Sequence, residues 1–134
     1  MSKVTYKNIY PNIDVEYVFP KDTGGVKYSI ILHPGADPSD IKMKYSGVEK
    51  ISTDRSGNLI LHSSFGNFTD HAPVTFYEGN NNSVIQSSFA VNGNIVSFKV
   101  ADYDKSKTVI IDPWTVNPPA FTSSRKAAYD VEFD

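Results

Sequence analysis

Val84-Ile85-Gln86-Ser87-Ser88-Phe89-Ala90-Val91-Asn92-Gly93-Asn94-Ile95-Val96-Ser97-Phe98-Lys99-Val100-Ala101 carries the decisive pattern of this 134-residue chain. Apolar residues recur at alternate positions on both sides of Asn92-Gly93, and Asn-Gly between two such runs is the signature of a two-residue type I′ hairpin loop. That turn sets Val91 opposite Asn94, Phe89 opposite Val96, Ser87 opposite Phe98 and Ile85 opposite Val100. The large apolar residues then share one face. Ala90, Ser88, Gln86, Ile95, Ser97 and Lys99 fall on the other, and a slip of one residue would invert every side chain.

The same two-residue period runs outward in both directions. Ile13, Val15, Tyr17 and Phe19 alternate with Asp14, Glu16 and Val18; Val26, Tyr28, Ile30 and Leu32 with Lys27, Ser29, Ile31 and His33; Ile41, Met43 and Tyr45 with Lys42 and Lys44. These read as half-buried strands. Pro20, Gly24-Gly25, Pro34-Gly35 and Gly47 punctuate them, giving a new strand about every ten residues.

Gly66-Asn67 reads as a second hairpin loop of type II′, which sets Phe65 opposite Phe68, Leu61 opposite Ala72 and Leu59 opposite Val74, with Pro73 marking an edge strand. Asp54-Arg55-Ser56-Gly57 closes a third pair, near 49–53 and 58–63. Helix is confined to one turn at Asp37-Pro38-Ser39-Asp40, with Asp37 as cap and Pro38 in the first position. Val116-Asn117-Pro118-Pro119 reads as an extended linker, and Ala128 to Asp134 resume the alternation. The expected fold is all-β, a two-layer antiparallel sandwich, with a partly open β-barrel as the alternative.

A chain of this length makes one ordinary domain. Its net charge of -2, with no basic run, lacks the footprint of a nucleic-acid binder. It has no cysteine, which excludes disulfides, thiolate metal sites and cysteine nucleophiles. No segment approaches the about 18 consecutive apolar residues of a membrane-spanning helix, so membrane insertion is not expected. Met1 to Lys7 is not followed by the apolar stretch of a signal peptide; any export signal would lie outside this chain.

Candidate chemistry is sparse. In the Gly66-Asn67 register His62 faces His71, and two imidazoles so placed could share a divalent ion; the plainer reading is a polar cross-strand pair. Asp102-Tyr103-Asp104-Lys105-Ser106-Lys107-Thr108 begins like a calcium loop through Asp102 and Asp104. Lys107 and Pro113 then stand where an EF-hand needs Gly and Glu, which leaves a local turn as the alternative. Asp14 and Glu16 share one strand face, a pattern equally expected of a wet sheet surface. Ser63-Ser64 lack a nucleophile elbow, and no phosphate-binding loop occurs, so an enzyme is not expected and no cofactor is implied. With eight Tyr, eight Phe and one Trp, aromatics outside the clearest core positions are candidate ligand contacts: Tyr6, Tyr10, Tyr103 and Trp114, with Tyr129 beyond them.

Tyr6-Lys7-Asn8-Ile9-Tyr10-Pro11-Asn12-Ile13-Asp14, Val26-Lys27-Tyr28, His33-Pro34-Gly35-Ala36-Asp37-Pro38, Gly57-Asn58-Leu59, Ala72-Pro73-Val74, Tyr103-Asp104 and Val109-Ile110-Ile111-Asp112-Pro113 occur in this order. Together they resemble the domain of unknown function that precedes SBBP-type β-propeller repeats in large secreted bacterial proteins, including surface proteins of gliding Bacteroidetes. Ala127 to Asp134 resembles the opening strand of the first such repeat. Asn12 stands where that family usually places Gly, and Asn tolerates the left-handed bend. The resemblance implies a sandwich over 1–113, with 114–134 as linker and first strand of a downstream repeat. It also implies an extracellular or cell-surface setting and no known catalytic residues. The expected role is a non-catalytic structural or interaction module that spaces or caps the downstream domains of the same polypeptide. The alternative is a carbohydrate-binding or adhesive module, its exposed aromatics meeting a glycan or surface protein, with calcium assistance.

Overall fold

The computed structural model describes residues 2–19, 27–115 and 130–133. Pro20, Gly24-Gly25, Val26, the stretch from Val116 to Pro119 and Tyr129 lie outside the described residues. Alternating burial produces the strands β1 (Ser2–Tyr10), β2 (Ile13–Phe19), β3 (Lys27–Leu32), β4 (Met43–Ser46), β5 (Lys50–Thr53), β6 (Leu59–Ser63), β7 (Gly66–Tyr77), β8 (Asn80–Ile85), β9 (Ser87–Asn92), β10 (Ile95–Val100), β11 (Val109–Thr115) and β12 (Asp130–Phe133). One 3-10 turn covers Pro38–Asp40, and Asp37 caps it by accepting the Ser39 N–H.

Two antiparallel sheets form. The larger runs β1-β2-β3-β11-β7-β6-β5, with β8 also on β7; the smaller runs β12-β4-β10-β9. Neither closes into a barrel. Between them lies the core, in which Ile13, Ile30, Leu32, Leu59, Leu61 and Ile111 of the larger sheet meet Met43, Tyr45 and Val96 of the smaller, all essentially excluded from solvent. The sheets are also tied by hydroxyls. Tyr45 donates to Asp70 Oδ2 at 3.3 Å, Tyr28 to Met43 Sδ at 3.6 Å, Tyr10 to the Lys42 carbonyl at 2.9 Å and Thr75 to Ser87 Oγ at 2.7 Å.

Both hairpin loops form one or two residues away from their expected places. The β9–β10 loop is Gly93-Asn94, with Asn92 opposite Ile95, Val91 opposite Val96 and Phe89 opposite Phe98. Gly93, at φ +64°, takes the first loop position, as a type II′ turn requires. This register replaces Phe89–Val96 and Ser87–Phe98 by an aromatic pair with centroids 5.4 Å apart. The offset is even, so the apolar face survives. The expected strand through Ile85 and Ser87 is broken at Gln86, where the chain crosses from β8 of the larger sheet to β9 of the smaller.

The β6–β7 loop is Ser64-Phe65, because Ser63 Oγ ties the turn by donating to the Gly66 carbonyl at 2.9 Å and accepting the Phe65 N–H at 3.1 Å. Leu61 therefore faces Phe68, and Phe65 protrudes at the tip, 72% exposed.

A bulge explains the rest of β7. Asp112 pairs with Val74 but Trp114 with His71, so Ala72 and Pro73 stand opposite the single residue Pro113. Phe68 and Asp70 point inward before it and Thr75 after it, which turns Val74 out to 51% exposure rather than in beside Leu59. Pro73 is thus not on an edge strand. It occupies the gap between β6 and β8 along one side of β7, where the Ala72 N–H is taken by Asn58 Oδ1 at 2.8 Å.

At the other end of the chain, β11 continues through Pro113 and Trp114 to Thr115, and residues 130–133 pair with β4. The segment assigned from sequence to a linker and a following repeat thus places its last strand in the smaller sheet of this sandwich.

Candidate functional site

The outward face of the larger sheet carries one unbroken row. Cross-strand pairing aligns Val84 of β8, Phe76 of β7, Ile110 of β11, Ile31 of β3 and Asp14 of β2. Directly opposed residues of an antiparallel pair point to the same side, so four apolar side chains from four strands form a stripe that ends in a carboxylate. Val84 is 67% exposed, while Phe76, Ile110 and Ile31 are half-buried against one another. Val74 flanks the stripe together with Asp112, whose Oδ1 accepts from Ser29 Oγ at 3.2 Å. Partial burial pushes the Asp112 carboxyl up from its ordinary value, while the Ser29 hydroxyl and Lys27 work downward.

The polar end of the row is built around a second irregularity. Tyr6 pairs with Val15 and Tyr10 with Ile13, which leaves Lys7-Asn8-Ile9 facing Asp14 alone. Asn8 adopts φ +53° there, and its N–H is held by Asp14 Oδ1 at 2.8 Å. The other oxygen, Oδ2, lies 2.8 Å from His33 Nε2. Asp14 is 9% exposed, so it is not the wet-face carboxylate that alternation with Glu16 suggested. Nearby, the β1–β2 turn Pro11-Asn12 follows a type II pattern with Asn12 at φ +63°, the left-handed bend expected of that residue. The Asn12 carbonyl accepts the His33 N–H at 2.9 Å, which seats His33 beside Asp14.

Burial is the largest influence on the Asp14 carboxyl and works upward. The Asn8 N–H and His33, with Lys7 further off, outweigh it and hold the group below its ordinary 3.8. A carboxyl lowered on folding stabilises the native state above its unfolded-state value and loses that contribution as pH falls through the folded one. Asp14→Ala is therefore expected to cost about 1–3 kcal/mol at neutral pH. The gap between wild-type and variant melting temperatures should then narrow below about pH 4. A gap unchanged from pH 7 to pH 2.5 would remove Asp14 as the bulge's electrostatic anchor.

The other sequence candidates are dispersed. His62 stands opposite Asn67, not His71, and meets Ser52 Oγ at 3.0 Å; His71 stands opposite Trp114. The expected imidazole pair is thus undone by the shifted hairpin register. Asp104 Oδ1 accepts the Ser106 N–H and hydroxyl at 3.0 and 2.6 Å, the local turn that was the alternative to a calcium loop, and Asp102 is exposed beside it. No group of three or more His, Asp or Glu that could hold a metal occurs among the described residues.

Tyr10 packs against the core with its hydroxyl on Lys42, so it serves the fold rather than an open platform. Tyr103 is half-buried with the Lys105 ammonium 4.6 Å from its ring centre, and burial pushes its phenol up, aided by Asp37 and Tyr77. Tyr6 is 53% exposed, edge-on to Tyr17 at 5.8 Å. Of Trp114 only the strand position is described. Neither Asp14–His33 nor the outward row was legible as a site: the first joins residues nineteen positions apart, and the second needs the pairing of five strands.

These features define an antiparallel β-sandwich with a half-apolar outer sheet face. The chain belongs to the family described as a domain of unknown function (DUF7948), whose family model matches residues 1–114, from β1 nearly to the end of β11. Comparison with curated proteins and with solved structures finds no match in either.

Proposed function

We propose that this chain is a non-catalytic interaction module of an exported surface protein, and that the outward face of its larger sheet is where a neighbouring domain of the same polypeptide rests. The observation that carries this reading is the row Val84–Phe76–Ile110–Ile31 with Val74 beside it. Apolar residues that continue across four strands on a face no described element covers mark a contact surface, whereas isolated exposed valines would not. The acid–base pair that does meet, Asp14 with His33, is engaged in holding a backbone bulge. Spacing or capping of a downstream repeat domain agrees with both features.

The test is a longer chain that includes the downstream region. Val74→Lys with Val84→Lys should leave the 134-residue chain within about 0.5 kcal/mol of wild type, since both residues are exposed. In the longer chain the same pair should abolish the rise in melting temperature that docking provides. No such rise, with the two parts tumbling independently, would defeat the proposal.

Tyr6 favours a second reading, as a glycan-binding or adhesive module. Its ring stands 53% exposed with Val4 at 41% on the edge strand β1. On a glycan array run with and without calcium, Tyr6→Ala should lose at least about tenfold in signal if a sugar ring resting on the tyrosine supplies the affinity. Silence of the wild-type chain across the array removes this reading.

A further inference from the structure

The smaller sheet ends on a strand that arrives from far along the chain. β4 has four residues, and the Tyr45 N–H is donated inward to the Asn94 carbonyl at 2.9 Å. Backbone groups alternate direction along an antiparallel strand, so Lys44 and Ser46 present theirs to the opposite, outer edge. There β12 pairs in full register: Asp130 with Ser46, Val131 with Tyr45, Glu132 with Lys44 and Phe133 with Met43. Register thus places an acidic position opposite a basic one. Phe133 is half-buried and its ring lies 6.5 Å from Tyr10, whose hydroxyl is itself fastened to Lys42 just before β4. The edge is a seat with two elements, a backbone ladder and an aromatic notch.

Among the described residues the seat is made by residues 130–133, the β4 edge and Tyr10, and the chain reaches it from β11 through residues 116–129. We propose that the outer edge of β4 is a strand-acceptor site whose partner in trans is the 130–133 strand of a second copy of this chain, exchanged reciprocally into a two-fold dimer. A second copy carries the same strand and the same edge, so exchange repeats every contact and loses none. What favours the strand of the same chain is tethering, equivalent to an effective concentration of about a millimolar for a short connection. The paired contacts are the same in both arrangements and cancel, and exchange therefore grows as chain concentration approaches the same scale. This inference is independent of the outward-face proposal, which concerns the other sheet.

The chain has no cysteine, so a designed pair reports the exchange directly. Ser46→Cys with Asp130→Cys places thiols at directly opposed positions of a hydrogen-bonded pair, about 5.5 Å apart at Cα, within the Cα range of a disulfide. Oxidation of the full chain is followed from about 10 µM to about 1 mM, a range that ends at the tether's effective concentration. The expected result is an intramolecular disulfide at the dilute end and a disulfide-linked dimer whose share rises several-fold toward the concentrated end, both reduced by Phe133→Ala. An intramolecular disulfide alone at every concentration overturns the proposal, as does no disulfide at all. A dimer indifferent to Phe133→Ala is random collision and overturns it too. Excess peptide of sequence 127–134 should suppress the dimer. Equal suppression by a scrambled strand-forming peptide would make the edge a general acceptor and overturn its assignment to a second copy.

Discussion

Tyr45→Ala is expected to cost about 3–5 kcal/mol, a large share of the stability of a domain this size. Tyr45 is 1% exposed, among the largest fully buried side chains, and lies where β4 meets the larger sheet. Its removal leaves a cavity between two close-packed layers, which cannot collapse without moving a whole sheet. It also removes the hydroxyl that reaches Asp70, a carboxylate only 2% exposed. Tyr45→Phe separates the two effects by keeping the ring and deleting the donor, and should cost about 1–3 kcal/mol. Urea denaturation of both variants checks the pair. Equal losses would mean that the hydrogen bond, not the ring, dominates, contrary to this expectation.

Phe98→Ala and Phe89→Ala should each cost about 3–5 kcal/mol, since both rings are nearly buried and stand directly opposite one another. The pair should also show a coupling of about 0.5–1.5 kcal/mol in a double-mutant cycle. The cycle distinguishes the two registers. With an Asn92-Gly93 loop Phe89 would face Val96 and Phe98 would face Ser87, and the two rings would couple weakly. With the Gly93-Asn94 loop they are partners. Additive single-variant losses would contradict the observed pairing.

That hairpin also shows how far local pattern reaches. Alternation placed Phe89, Val91, Val96 and Phe98 on one face, and they are on one face, because any even offset preserves side-chain direction. The offset itself was not legible. Asn92-Gly93 and Gly93-Asn94 are both favoured two-residue hairpin loops, and the second also opposes two phenylalanines across the strands. The β6–β7 turn moved for a similarly specific reason, the Ser63 hydroxyl that ties Gly66 and Phe65. Where the shift mattered was chemistry: it moved His62 from His71 to Asn67. The local turns at Asp37 and Asp54 formed as read, since each depends only on a side chain accepting N–H groups two to four residues on.

Periodicity, turn residues and composition by themselves determined that this chain is all-β and which residues of most strands face the core. Each of those is a local property, set by alternation along one strand or by one residue's backbone preference. Tertiary structure alone decided the break at Gln86, the bulge that turns Val74 outward, the meeting of Asp14 with His33, and the seat of Phe133 beside Tyr10. Those depend on which distant strands become neighbours, and that is settled by the packing of two whole sheets rather than by any one segment.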